Sequence, residues 1–227
     1  MNFQNMNGPK QITEALHRLY QQAGPELLRA FKEANSREAP GLVEYGIVDE
    51  DAYDVQNGIL IVLKEANDWS AEDFQNSVTY ADYVRDLIDG KHPRNAMWYN
   101  LGRWVSILRK PDRPTDEVAE LYEDAVQELR SVAFTNVNKV TGGASVNAAY
   151  YEVAQSKVAL DTLREEIRIL DPKIVLFCGT AWLLGDDGLD RLREDGRKAL
   201  DMWHPGARKS KAMMIDAMKH QLREEEG

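Results

Sequence analysis

The sequence predicts one α/β domain, a three-layer α/β/α unit around a central, mostly parallel, four-stranded sheet. The first observation behind this is Ile59-Leu60-Ile61-Val62-Leu63, a continuous run of branched aliphatic residues. Such a run has no polar side to turn to water, so it reads as a strand buried on both faces in the middle of a parallel sheet. The second observation is recurrence. Comparable runs stand at residues 132–139, 174–178 and 199–203, and the stretches between them carry apolar residues at helical spacing. Strands alternating with helices build a mostly parallel sheet covered on both faces. The third observation is that the runs turn polar at their carboxyl ends, where open α/β sheets bind ligands.

Taken in order, residues 11–23 place Ile12, Leu16, Leu19 and Tyr20 on one helix face. Gly24-Pro25 punctuates that helix, and Pro25 suits the first turn of a second one reaching residue 35. Residues 36–58, interrupted by Pro40-Gly41 and Gly46, are expected to be mostly loop. After the strand at 59–63 come a polar loop over 70–76 and a short helix over 79–89. An amphipathic helix over 95–109 follows, with Met97, Trp98, Leu101, Trp104, Val105 and Leu108 expected in the core. Pro111 and Pro114 precede an acidic helix over 115–130, with Glu117, Glu120, Glu123, Asp124 and Glu128 on one exposed face. The second strand, 132–139, leads through Thr141-Gly142-Gly143 to a long helix over 148–170. The third strand, 174–178, closes on Gly179-Thr180; the fourth, 199–203, delivers His204, and a helix over 209–222 follows. Residues 1–57 are then an N-terminal helical extension, 58–222 the α/β domain, and 223–227 an acidic tail.

A chain of 227 residues can bury a full core. No run is long and apolar enough to span a membrane, and Met1-Asn2-Phe3-Gln4-Asn5 lacks the basic-then-apolar order of a signal peptide, so a cytoplasmic location without membrane contact is expected. Cys178 is the single cysteine, which excludes an internal disulfide and any multi-cysteine zinc or iron–sulfur site; a core position is expected for it. The formal net charge of −10 argues against broad, non-specific affinity for nucleic acid, while leaving room for a local basic groove.

Parallel strands would gather Glu65, Asn67, Asp68 and Trp69 from the first strand end, Asn136 and Asn138 from the second, Thr180 after the third and His204 after the fourth. A carboxylate or amide that places a water, an amide that reads a polar ring edge and an imidazole that stabilises a leaving anion form a coherent hydrolytic set. No glycine-rich nucleotide fingerprint, serine elbow or phosphate loop is present.

Four motifs, in this order, resemble those of the uracil-DNA glycosylase superfamily, from residue 58 to the last helix. Lys64-Glu65-Ala66-Asn67-Asp68-Trp69 stands where that family carries its water-activating motif. The strand AFTNVNKV is similar to the one whose Asn reads the flipped base. LDPKIVLFCGTAW resembles the family's helix-to-strand segment, and His204-Pro205-Gly206-Ala207-Arg208 its His-Pro motif, whose loop enters the DNA helix.

The resemblance implies that Asn136, with Asn138 beside it, hydrogen-bonds the edge of an extruded base. It implies that His204 stabilises the departing base as an anion, ideally as a neutral donor. Gly206, Ala207 and Arg208 would form the loop that fills the vacated stack, while Trp69 or Phe74 would stack on the base. Lys139, Arg208, Lys209 and Lys211 flank these motifs and are expected to form a positive strip facing phosphates. The first motif departs from the family pattern in having neither glycine nor proline. Aligned on its Glu-Ala pair, Glu65 is the catalytic-side residue; aligned one step along, Asn67 is, with Asp68 third. The tyrosine that blocks a thymine methyl in one branch has no counterpart, so uracil selectivity does not carry over.

The implied activity is that of a monofunctional, monomeric DNA glycosylase acting on DNA with a modified or deaminated base, with no metal or other cofactor. Genome repair and defence against phages with modified DNA both fit it. Two other readings stand beside it, a non-catalytic binding module on the same fold and a hydrolase of free nucleosides or nucleotides.

Overall fold

The structure, a computed structural model, describes residues 8–35, 41–64, 66, 79–118, 120–141 and 148–225. The aliphatic run forms β2 (Ile59–Leu63), buried at every position. It takes the central place its composition demands. β3 (Ala133–Asn136) pairs with it in parallel on one side and β4 (Ile174–Cys178) on the other, so that Leu60 faces both Ala133 and Val175. β5 (Lys198–Met202) lies parallel beyond β4. A fifth strand, β1 (Gly46–Ile47), pairs antiparallel with β3, and Leu42 bridges Val140 nearby.

The sheet is therefore five-stranded and mixed, in the order β1-β3-β2-β4-β5, which corrects the expected four strands. Residues 36–58 were expected to be mostly loop, yet Val43, Tyr45, Ile47 and Val48 within them are buried. A strand with two paired residues is too short to display an alternation, so periodicity has nothing to register. It also ties the end of the expected N-terminal extension into the sheet.

α1 (Pro9–Asn35) runs straight through Pro25, where the sequence predicts two helices. Its buried positions Ile12, Leu16, Tyr20, Gly24, Leu27 and Phe31 keep one phase across the proline. Packing of that continuous face against the helices after β3 outweighs the hydrogen bond Pro25 cannot make. α2 (Tyr80–Ile88) starts on a Thr79/Asp82 capping box. α3 (Ala96–Arg109) starts on Asn95, whose side chain accepts the Met97 N–H. Trp98, Leu101, Trp104, Val105 and Leu108 of α3 are buried, as their spacing predicts, and Met97 packs against the core at partial burial.

Two expected helices are divided. The acidic segment becomes a 3-10 turn (Thr115–Glu117), α4 (Tyr122–Gln127) and a second 3-10 turn (Glu128–Ser131). Between them Val118 is extended and fully buried; sending its side chain inward interrupts the helix. The long helix after β3 becomes α5 (Ala148–Gln155) and α6 (Lys157–Leu170), because Ser156 adopts an extended backbone and its hydroxyl accepts the Ala159 N–H as an N-cap. A 3-10 turn (Ala181–Leu184) and α7 (Gly188–Glu194) connect β4 to β5, and α8 (Lys211–Glu224), capped by Ser210, follows β5.

Helix α1 packs on α5 and α6, whereas α3 packs on α4 and α8, where the Trp104 indole N–H donates to the Met214 carbonyl (2.9 Å). Cys178 is fully buried, and burial pushes its thiol well above the usual range, consistent with a core role. Among the described residues no helix is long and apolar enough to cross a membrane. From β2 the chain goes to β3, and from β4 it goes to β5 in the opposite direction. The strand order thus reverses between the carboxyl ends of β2 and β4, the position where open α/β sheets take ligands.

Candidate functional site

The reversal point is built by residues that continue the strands past their formal ends. Val137 N–H donates to the Leu63 carbonyl (3.0 Å) and Asn138 N–H to the Lys64 carbonyl (2.9 Å), so β2 and β3 stay joined beyond the sheet. The Asn136 amide is satisfied with its oxygen accepting from Ala66 N–H (2.9 Å) and the Tyr45 hydroxyl (3.0 Å), while its nitrogen donates to the Thr135 carbonyl (3.1 Å). Asn136 thereby pins the first residues after β2. On the other side of β2, the Thr180 hydroxyl donates to the Val62 carbonyl (3.1 Å).

Gly179 leaves β4 with φ +72°, a conformation that suits glycine, and a Cβ placed on it would come within 3.6 Å of the His204 nitrogen of the main chain. The ends of β4 and β5 therefore adjoin at His204. Backbone bonds from Ala207 N–H to the His204 carbonyl and from Lys209 N–H to the Ala207 carbonyl (both 2.8 Å) close its loop, and side chains add to them. Asn100, buried on α3, donates its side-chain N–H to the Pro205 carbonyl (2.7 Å), and Gly206 N–H donates to His204 Nδ1 (3.1 Å). Burial, reinforced by the charge of Lys64, holds the imidazole below its ordinary pKa of 6.5. A neutral ring whose Nδ1 accepts a hydrogen bond carries its hydrogen on Nε2. His204 is thus a neutral hydrogen-bond donor near pH 7.

A second polar group lies beneath the end of β3. Lys139 Nζ is 2.6 Å from Glu166 Oε2 on α6, both side chains are buried, and Lys139 also donates to the Asn136 carbonyl. Glu166 further accepts from the Thr135 hydroxyl (2.8 Å) and from the Tyr20 hydroxyl of α1. Burial lowers the Lys139 pKa, with Glu166 pulling in the opposite direction, while burial and the neighbouring Glu166 charge raise that of Tyr20. This network anchors β3 between α1 and α6.

No protein-family model matches the chain, and no curated protein sequence matches it. Among the described residues no group of three or more His, Cys, Asp or Glu is placed to hold a metal ion.

Of the residues singled out in the sequence, Glu65, Asn67, Asp68, Trp69 and Phe74 lie outside the described residues. Asn136, Asn138, Thr180 and His204 are brought to the same edge of the sheet. Asn136 and Asn138 are buried there, the Asn136 amide oxygen and nitrogen both bonded within the protein. Gly206, Arg208 and Lys209 are exposed and Ala207 is half-buried on the turn between β5 and α8, and Lys211, half-buried, is the first residue of α8. The expected positive strip is corrected at Lys139: with a side chain that has no exposed surface and is closed on Glu166, it cannot face phosphate. A cation directly after a strand looks the same in sequence whether it turns outward or inward.

Sequence reasoning passed over Lys64, Asn100 and Glu166. Lys64 and Asn100 carry no periodic signal, each being one polar residue at a strand end or on a mostly buried helix. Glu166 does carry one: it occupies the apolar stripe of α6 with Leu163, Ile167 and Leu170, and a carboxylate in such a stripe calls for a buried partner.

Proposed function

We propose that this protein is a DNA glycosylase that hydrolyses the N-glycosidic bond of a flipped-out modified or deaminated base and leaves an abasic site. The observation that carries the reading is the state of His204: a half-buried, neutral imidazole with its hydrogen on Nε2, held where the carboxyl ends of β4 and β5 adjoin by Gly206 and Asn100. Cleavage of the bond leaves positive charge on an oxocarbenium-like sugar and negative charge on the departing base. A neutral donor held in place stabilises that developing anion without reorganising. In this reading a water is positioned by Glu65 or Asn67, with Asp68 beside them, and the loop of Gly206, Ala207 and Arg208 fills the space of the extruded base. Arg208, Lys209 and Lys211 contact phosphates.

The two helix groups are consistent with a three-layer α/β/α domain, because right-handed connections running in opposite directions from the reversal point belong on opposite faces. For Asn136 to read the base edge it must exchange its bonds to Ala66 and Tyr45 for bonds to the base, at about 1 kcal/mol each. A non-catalytic binding module on the same fold is the second reading, and the internal engagement of Asn136 and Lys139 is what favours it.

Incubation with oligonucleotides carrying a panel of modified and deaminated bases, followed by alkaline cleavage of abasic sites, tests the proposal. At least one base should be released, and His204→Ala should slow the single-turnover rate while the protein still binds DNA. Absence of abasic sites across the panel, or a His204→Ala variant as fast as the parent, would favour the binding module.

A further inference from the structure

Among the described residues the exposed large apolar side chains are Leu121, Tyr151, Trp182, Trp203 and Met213. Single exposed apolar residues are ordinary, but grouped aromatics mark an interaction surface. The three aromatics here all follow carboxyl ends of strands: Tyr151 lies in α5 after β3, Trp182 in the turn after β4, and Trp203 directly after β5. Tyr151 and Trp182 rest against each other, ring centroids 5.6 Å apart, yet they remain 47% and 46% exposed. Packing has joined the two rings without covering them.

Trp203 is 43% exposed, with Lys209 Nζ 4.9 Å from its ring centroid. Because Cys178 pairs with Met202 across β4 and β5, Trp203 stands beside Gly179, three residues before Trp182. Trp203 therefore borders the His204 loop; Arg208 and Lys209 follow on the same turn, and Lys211 opens α8.

We propose that Tyr151, Trp182 and Trp203 form a stacking platform for single-stranded DNA, which leads the strand toward His204. This rests on the glycosylase reading for its destination, though not for the binding itself. Aromatic faces beside cations match the two surfaces a single strand offers, open base faces and a phosphate backbone. A duplex keeps its base faces stacked inside and offers the rings nothing to stack on. The three cations beside the rim predict a modest salt dependence, with log K falling against log salt at a slope of about −2.

Fluorescence anisotropy of the full chain with a labelled, unmodified oligothymidylate and with a hairpin duplex of equal length tests this. The single strand should bind more tightly. Trp182→Ala and Trp203→Ala should each weaken it about tenfold, and Lys209→Gln should reduce the salt slope. Both tryptophans are largely exposed, so the variants should melt within a few degrees of the parent, and Tyr151→Leu supplies an independent variant of the same platform. Equal affinity for strand and duplex, parent-like affinity of both tryptophan variants, or no DNA binding at all would overturn the proposal. Tryptophan-dependent strand binding without base release would sustain the platform and count against the glycosylase. Base release with tryptophan-independent binding would do the reverse.

Discussion

Replacing Glu166 by Gln should be among the most destabilising near-isosteric changes in this chain. The substitution keeps the shape of the side chain but leaves the Lys139 ammonium buried without a counter-charge, its remaining acceptors being the Thr135 hydroxyl and the Asn136 carbonyl. Removing one partner of a buried ion pair costs about 3–5 kcal/mol. Lys139→Met should cost a similar amount, since Glu166 then keeps only the Tyr20 and Thr135 hydroxyls as donors. If the losses were independent, the double variant Lys139→Met/Glu166→Leu would lose roughly 6–10 kcal/mol, close to the whole stability of a typical domain. Because both charges leave together, the pair should instead lose about 2 kcal/mol, most of it from stranding the Tyr20 hydroxyl, and adding Tyr20→Phe should recover part of that. Urea unfolding of the parent and the variants measures these differences, and each single change should lower the melting temperature by roughly 6–20 °C. Single variants within 1 kcal/mol of the parent, or a double variant equal to the sum of the singles, would refute the idea of a coupled buried pair.

Lys64→Met should raise the His204 pKa toward 6.5, read by NMR titration of the ring, because the Lys64 charge is one of the two causes that hold it down. Since the folded value lies below the unfolded one, His204 should disfavour the folded state as pH falls below about 6.5, where the unfolded chain takes up the proton first, and His204→Ala should flatten that acid limb in pH-dependent melting. Gly206→Ala should lower base release more than stability, because its Cβ would stand 3.2 Å from His204 Nδ1 and 3.3 Å from Cε1 and push the imidazole; parent-like single-turnover rates would contradict this. Gly102→Ala should do the opposite. Its Cβ would fall 2.0 Å from the Ala125 carbonyl oxygen of α4, so a loss of about 3 kcal/mol in urea unfolding is expected, with no direct effect on His204.

Much of the fold was legible because the signals are local. Five aliphatic residues in a row have one stable environment, and β2 occupies it. The stripes of α2, α3, α6 and α8 repeat within a few turns and could be read without knowing what they pack on. Of the site, the edge of the sheet and the position of His204 were legible for the same reason: a strand that ends in polar residues says where its end is. The state of His204 was not, because it depends on Lys64 at the end of another strand and on the burial of the ring.

By itself, then, the sequence determined the alternation of strands and helices, the central strand, and the polar edge where the strands end, since each follows from the period and polarity of neighbouring residues. Only the tertiary structure decided that α1 continues through Pro25, that residues 46–47 add an antiparallel edge, and that Lys139 faces inward. Each of these depends on partners distant in the chain. Pro25 is tolerated because a face spanning Ile12 to Phe31 is packed, β1 exists because β3 offers an unpaired edge, and Lys139 is buried because Glu166 and Thr135 receive its charge. A local period cannot encode a compensation made across the fold, and these residues are where such compensation prevails.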